Sequence, residues 1–303
     1  MSSSAETIVS PKNFDTARVQ FEEAIAFKFL WISGWLIVII LIFLLGYVFY
    51  HGVPSLSLHY LFSEPEGGRY DTGGIWYQIV ATLYLIMGSM LVAAPIGVLA
   101  AVYLTEYAPQ NFIADIIRFA IETLAGIPSV IYGLFGLAFF VLFLKFEYSL
   151  LAGALAVAIM ILPVIIRTSE EALRSVPKSF RESSFALGVN KWQTITNVVF
   201  PSAFPGILTG LLLSVGRIVG ESAILILAAG GSITGIPRFF GGNYPFFLPD
   251  SARTLAVHLY YQATSYGSHS KAFATAVVLI FIVTFLNSCI DKISTKYRKK
   301  YAR

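Results

Sequence analysis

The chain has 303 residues, 56% of them apolar and only 13% charged, against about 25% charged in an ordinary soluble domain. So few charges cannot cover the outside of a soluble protein of this length, which excludes a solvated enzyme and leaves lipid or partner proteins to cover the rest. The net charge is +4, and the single cysteine, Cys289, excludes an internal disulfide.

In chain order, residues 1–28 come first as a cytoplasmic segment. Within them, and on to Phe29, apolar positions Phe14, Ala17, Phe21, Ala24 and Ile25 recur at helical spacing among mixed charges. This predicts an amphipathic helix lying on the membrane face. Six apolar runs then follow in a permease domain over 29–291, each long enough for a bilayer core, which takes about 20 residues. They are Trp31 to Tyr50, Ile75 to Leu104, Ile117 to Leu144, Ser149 to Arg167, Gly206 to Gly230 and Ala272 to Ile290. The second carries Pro95 and Gly97, able to bend it where a neighbouring helix satisfies the freed carbonyl, and the third carries Pro128. The short turn holding Lys145 and Glu147 makes spans three and four antiparallel neighbours.

Two connections are longer than turns. Residues 168–205 read as short helices: Glu170 to Ser175, a break at Val176-Pro177, Lys178 to Leu187 ended by Gly188, and Lys191 to Phe200 ended by Pro201. Residues 231–269 are rich in Gly, Pro and aromatics, with an interfacial helix expected over Ser251 to Thr264. The basic residues outside the spans divide fifteen to five in favour of the face holding both termini, the 168–205 loop and the tail 292–303. That predicts a multi-pass protein of the inner or plasma membrane with both termini in the cytoplasm. The positive charge is thus an orientation signal and gives no reason to expect nucleic-acid binding. The four histidines, His51, His59, His258 and His269, have no metal-ligand spacing and read as polar residues of loops and span ends.

An ionisable group at mid-bilayer costs on the order of 2.5–3.5 kcal/mol, so each one needs a reason. Arg217 lies about 16 Å into the fifth span at ~1.5 Å per residue, too deep for easy snorkelling. Glu221 follows four residues later, Ser214, Gly210 and Gly206 precede it at steps of three or four, and together they predict one small, polar, then charged stripe. Two readings fit: an ion pair beside a close-packing small-residue surface, or the lining of a translocation path. In the second, Arg217 donates to a tetrahedral oxyanion, while Glu221 holds the guanidinium or accepts from a protonated oxygen. Arg167 with Glu170, and Arg118 with Glu122, are expected as two further local pairs, the first read equally as interfacial snorkelling or as the inner mouth of such a path and the second as structural.

The segment Glu182-Ser-Ser-Phe-Ala-Leu-Gly188, nine residues, then Val198-Val-Phe-Pro201 resembles the Glu-Ala-Ala, Gly, Ile-x-Leu-Pro loop of ABC-importer permeases. Ser183, Ser184, Val198 and Phe200 depart from that pattern conservatively. Ala93 to Tyr107, Leu124 to Phe135, Leu162 to Leu173 and Gly216-Arg-Ile-Val-Gly-Glu-Ser-Ala223 look like the A-type membrane subunit of Pst phosphate importers, over about residues 75–230. The C-type subunit shares much of the pattern. The family's usual Thr-Ala-Pro after the span-five Glu is Ser222-Ala223-Ile224 here.

The resemblance implies an all-α membrane protein with six transmembrane helices of the type I importer permease fold. It implies a coupling helix that docks an ATPase through Glu182, Ser183, Ser184, Gly188 and Pro201, and a phosphate path that includes Arg167, Glu170, Arg217 and Glu221. It also implies a heterodimer with a second permease subunit, a pair of ATP-hydrolysing subunits and an external phosphate-binding protein. The chain carries no Gly-x-x-x-x-Gly-Lys-Ser/Thr loop, so ATP and Mg2+ are expected on the partner ATPase and no cofactor on this chain. The competing readings are a permease for sulfate, molybdate or phosphonate, an ion-coupled secondary transporter, and a membrane enzyme, for which no catalytic constellation is evident.

Overall fold

Apolar runs of this length form helices in a membrane because each backbone N–H and C=O must be satisfied within its own segment. The computed structural model describes residues 16–65, 73–109, 111–232, 251–265 and 267–301. The described residues are almost entirely helical. The chain divides into two units, Met1–Tyr50 and His51–Arg303.

Helix α1 (Thr16–Gly52) runs for 37 residues without interruption, about 55 Å at 1.5 Å per residue. The separate surface helix expected before the first span is therefore continuous with it, and Phe14 lies outside the described residues. From Ile25 to Tyr50 its large apolar side chains are mostly exposed, as for a helix solvated by lipid tails.

The second unit starts with a short helix, α2 (Leu58–Phe62), and then α3 (Trp76–Val102), whose end winds into a π turn over Tyr103–Tyr107. The third span departs from the expected form. It consists of α4 (Phe112–Ala125) and α5 (Ser129–Gly136), the latter extended by a π segment to Phe143, and the two halves meet at 98°. Gly126-Ile127-Pro128 makes the break: proline donates no backbone hydrogen bond and disfavours the helical conformation in the residue before it, and a glycine precedes the two. Among the described residues five helices are long and apolar enough to cross a membrane, and this bent pair makes six if it is counted as one span.

Helix α6 (Leu150–Arg174) lies at the centre, with Ala152, Gly153, Ala154, Ala156, Ala158, Met160, Ile161 and Ile165 buried. Small side chains let neighbouring backbones approach closely, the usual packing device between helices in lipid. An added Cβ on Gly136 would come within 2.7 Å of Ala156, and one on Gly153 within 2.8 Å of Ala229. Ser149 caps α6 by accepting from the Ala152 N–H at 3.2 Å.

The fourth span and the short helix expected over Glu170 to Ser175 are one helix, since α6 continues to Arg174. The projection beyond it is a turn, Ser175-Val176-Pro177, then α7 (Lys178–Ala186), closed by Gly188 at φ +79°. This is the left-handed conformation that favours glycine at a helix C-terminus. Helix α8 (Lys191–Thr194) opens with a capping box from Asn190 and Gln193. The expected stop at Pro201 also does not occur. A π turn over Ile195–Val199 accommodates the missing proline N–H, and the chain runs on into α9 (Phe200–Val219).

The fifth span is itself broken. Helix α9 ends at Gly220, and α10 (Ala223–Ala228) begins after Glu221-Ser222. The aromatic residues of the 233–250 segment lie outside the described residues. Helix α11 (Leu255–Thr264) matches the helix expected there, but Leu255, Val257, His258 and Gln262 are buried, so it is packed into the bundle end. Thr82 of α3 accepts from the Leu255 N–H at 2.9 Å and so caps α11 from a neighbouring helix. Helix α12 (His269–Tyr301) carries the sixth span on into the basic tail.

Candidate functional site

The break in the fifth span determines what the charges there do. Arg217 lies in the last turn of α9 and Glu221 just before the first turn of α10. A cation at a helix C-terminus and an anion at an N-terminus each oppose the partial charge of unsatisfied backbone groups. Glu221 is 9% exposed, and its Oε1 accepts from the Ile224 N–H at 3.2 Å. The expected Arg217–Glu221 pair is not formed: the carboxylate caps α10, because the break at Gly220 removes the helical register that would have brought the two side chains together. Arg217 is exposed on this chain.

The expected stripe is likewise rotated. Gly210 packs against the Thr168 side chain, and Ser214 is fully buried, its hydroxyl donating to the Gly210 carbonyl at 3.0 Å. Ser214, expected on the path, is thus buried on this chain, one turn beyond the Gly210–Thr168 approach. The exposed face of α9 is Gly206, Thr209, Leu213, Arg217 and Gly220, at steps of three and four residues that keep it on one side. On this face Arg217 is the one charge. Helix α5 packs on α10 next to the break, with an added Cβ on Gly133 reaching within 3.0 Å of the Ile224 Cα. Tyr132, in the same turn of α5, donates to the Leu124 carbonyl at 2.7 Å and so closes the bend between α4 and α5. The two discontinuities of the bundle thus lie against one another.

A second charged cluster joins α4 to the end of α6. The two local pairs expected there are exchanged between helices. Arg167 Nη1 lies 3.0 Å from Glu122 Oε1, and Arg118 Nε lies 3.5 Å from Glu170 Oε1. Arg118 also reaches Asp115 at 3.5 Å and donates to the Leu104 carbonyl at 2.9 Å. Glu170 is shared with Arg174 at 3.4 Å. The pairing crosses because α4 packs against α6, which brings Glu122 to Arg167 and Glu170 to Arg118, while Asp115 and Arg174 add partners one turn away on the same helices. Arg118, Glu122, Arg167, Glu170, Glu171 and Arg174 line a cleft of about 140 Å³. Arg167 and Glu122 are each about half exposed, so their bridge is of the weak, exchangeable kind, on the order of 0–1 kcal/mol.

The projection has two faces. Ser184 is buried and shares a 2.9 Å hydrogen bond with Thr194, fixing α7 to α8. Glu182, Ser183 and Gly188 are exposed, beside exposed Phe180, Phe185, Leu187 and Trp192. A cluster of exposed aromatic and aliphatic side chains on a charged projection is suited to protein docking. Pro201, expected with this group, lies inside the first turn of α9 and off the projection.

Among the described residues no group of three or more His, Cys, Asp and Glu side chains is placed to hold a metal ion. His258 is buried beside Arg253 and Lys271, and burial with those two cations holds its pKa down at about 3. It is therefore neutral and belongs to none of these clusters.

Comparisons with known proteins agree with this architecture. Residues 93–299 match the family model described as the binding-protein-dependent transport system inner membrane component. The probable ABC transporter permease protein YqgI of Bacillus subtilis is 37% identical, over 88% of this chain and 92% of that protein. The phosphate transport system permease protein PstA of Mycobacterium leprae is 35% identical, over 71% of this chain and 68% of that one. A chain of the bacterial alginate ABC transporter, crystallised with an alginate pentasaccharide-bound periplasmic protein, superposes with a TM-score of 0.64. It covers 90% of this chain and 96% of that one. At 14% identity that likeness is one of fold, the type I ABC-importer permease fold.

Proposed function

The chain belongs to the binding-protein-dependent transport system inner membrane components, the membrane permease subunits of ABC importers, and from that premise we propose that it forms half of the path of an ATP-driven inorganic phosphate importer. The observation that carries this reading is Arg217, an exposed cation at the end of a half-helix on an otherwise uncharged face. A surface that is exposed on one subunit and uncharged except for an arginine suits a path closed by a second subunit. Guanidinium offers several fixed donors to a tetrahedral oxyanion. Helix ends within a broken span are where transporters commonly place substrate contacts. The PstA relative supports phosphate as the oxyanion.

In this reading the path runs from Arg217 and Glu221 to the Arg118, Glu122, Arg167, Glu170 cleft at the cytoplasmic mouth. The weak Arg167–Glu122 bridge opens as phosphate arrives, since the anion substitutes for the carboxylate. The α7 projection docks an ATPase subunit through Glu182, Ser183, Gly188 and its exposed apolar side chains. ATP and Mg2+ are held by that partner. An external binding protein delivers phosphate, and a second, homologous permease completes the heterodimer. Closure of the ATPase pair then rocks the helices about Arg217.

The test is ATP-driven uptake of labelled phosphate by the reconstituted complex, with sulfate, molybdate and phosphonate as competitors. Phosphate uptake unaffected by equimolar sulfate is expected. Sulfate competing as well as phosphate does overturns the substrate assignment, and gradient-driven uptake by this chain alone overturns the importer reading.

A further inference from the structure

An ion pair outside the proposed path joins the projection to a different span. Glu106 sits in the π turn that ends α3, and Arg181 on the inward face of α7, one turn before the buried Ser184. Arg181 Nη2 donates to Glu106 Oε1 at 2.6 Å, and Nε lies 3.2 Å and 3.4 Å from the two carboxylate oxygens. The same guanidinium donates through Nη1 to the Val176 carbonyl at 2.9 Å and through Nη2 to the Leu173 carbonyl at 3.0 Å. The two side chains are 18% and 9% exposed. Beside them Lys191 Nζ stands 4.9 Å over the Tyr107 ring, a second link from the projection to the end of α3.

One side chain therefore ties together the end of α6, the turn that leads into α7, and the end of α3. A buried pair of this kind adds little stability over an apolar one of the same volume, but it fixes geometry and tolerates no loss of one partner. Its position explains what geometry it fixes. Helix α7 has nine residues, about 14 Å, too short to hold its shape alone. It is joined covalently only to α6 and α8. Without the pair, a push on α7 passes along the chain into α6 and α9, with the Lys191–Tyr107 contact of α8 as a weaker link to the end of α3. With it, the push also reaches α3, which is continuous from the π turn to the outer side of the bundle. The π turn inserts an extra residue per turn, which is how Glu106 is aimed at α7 and not at its own helical neighbours.

We propose that Arg181 and Glu106 form a strut that makes α7 and the inner end of α3 move as one body, so that movement of a docked ATPase is delivered to α3 as well as to α6 and α9. Both residues are positioning residues, and the proposal rests on the reading of α7 as the ATPase-docking helix.

The test uses the complete complex in proteoliposomes with Glu106→Gln, Arg181→Gln and the exchange Glu106→Arg with Arg181→Glu. Four quantities are read: co-purification of the ATPase, its hydrolysis rate, phosphate taken up per ATP, and the separation of spin labels at Tyr103→Cys and Ser179→Cys in a Cys289→Ser background. Each single variant is expected to retain and run the ATPase while uptake per ATP falls about tenfold, within the usual range of coupling between sites. The labels should keep one separation with and without ATP in the parent and change separation in the single variants, with the exchange restoring part of both. Unchanged uptake per ATP in both single variants overturns the strut. So does a loss of assembly that accounts for the loss of uptake, or a label separation that shifts equally with ATP in parent and variants. If the parent complex takes up no phosphate, the substrate assignment fails by itself, and the label separations still decide the strut.

Discussion

Arg217 and Glu221 are four residues apart, yet Gly220 between them ends one helix and Ser222, just beyond, starts another, which gives the two charges separate roles. Arg217→Gln should lower phosphate uptake by about 10- to 100-fold, the equivalent of one charge-assisted hydrogen bond of roughly 1.5–3 kcal/mol, with normal insertion and ATPase co-purification. Near-normal uptake in a correctly inserted variant removes Arg217 from the path. Arg217→Lys keeps the charge but loses the planar fork, so its uptake should fall between the two. Glu221→Gln preserves an acceptor for the Ile224 N–H, whereas Glu221→Ala removes the cap and should cost about 1 kcal/mol, read as faster hydrogen exchange in α10. His258 gives a pH dependence of definite sign. Its folded pKa is about 3 and its unfolded value about 6.5, so the opened state binds the extra proton. The packing of α11 is then complete above about pH 6.5 and weakens by up to about 1.4 kcal/mol per pH unit as pH falls towards 3. Hydrogen exchange of α11 in acid should show this slope, and His258→Gln should flatten it.

At the scale of elements, the six apolar runs were visible in the residues because lipid demands long uninterrupted hydrophobicity. What interrupted them was less visible. Pro128 was visible inside the third run, but the 98° bend beside it was not read from the residues; it goes with α5 packing against α10. Gly220 gave only a weak signal, since an isolated glycine is tolerated in a helix. Pro201 gave a false stop, because the π turn before it absorbs the lost hydrogen bond. The pairs Arg167–Glu122 and Arg118–Glu170 were unreadable in principle, as spacing along one helix says nothing of which other helix lies alongside. Glu106 with Arg181 could have been noticed as an acidic residue ending an apolar run and a basic one in the projection, but nothing in the sequence matched them. Gly188 was legible, and its φ of +79° shows why the position is glycine. Gly188→Ala should strain the end of α7 by about 1 kcal/mol, and with Glu182→Ala should let the ATPase hydrolyse ATP with reduced uptake. Uptake per ATP equal to the parent in both variants counts against α7 as the docking element.

For the whole molecule, the bent α4–α5 pair decides the parity of the topology. If it crosses the bilayer, the chain has six spans and both ends share a face; if it enters and returns, there are five and the ends are opposed. The fifteen-to-five division of basic residues favours the shared cytoplasmic face. Reporter fusions at the two ends should both report the cytoplasm, and one external reporter reverses the assignment of every loop between.

The exposure of Arg217 also has a genetic consequence. If Arg217 lines the proposed path, its outward face meets a wall encoded elsewhere, or by another copy of the same gene. Cells that carry both the parent allele and an Arg217→Gln allele sort the two products at random into complexes. If each complex contains one such chain, uptake falls in proportion to the share of mutant product. If it contains two, uptake follows the square of the parent share, and an equal mixture retains a quarter of the activity instead of half. A titration of allele dosage would thus count the copies of this arginine in a working transporter.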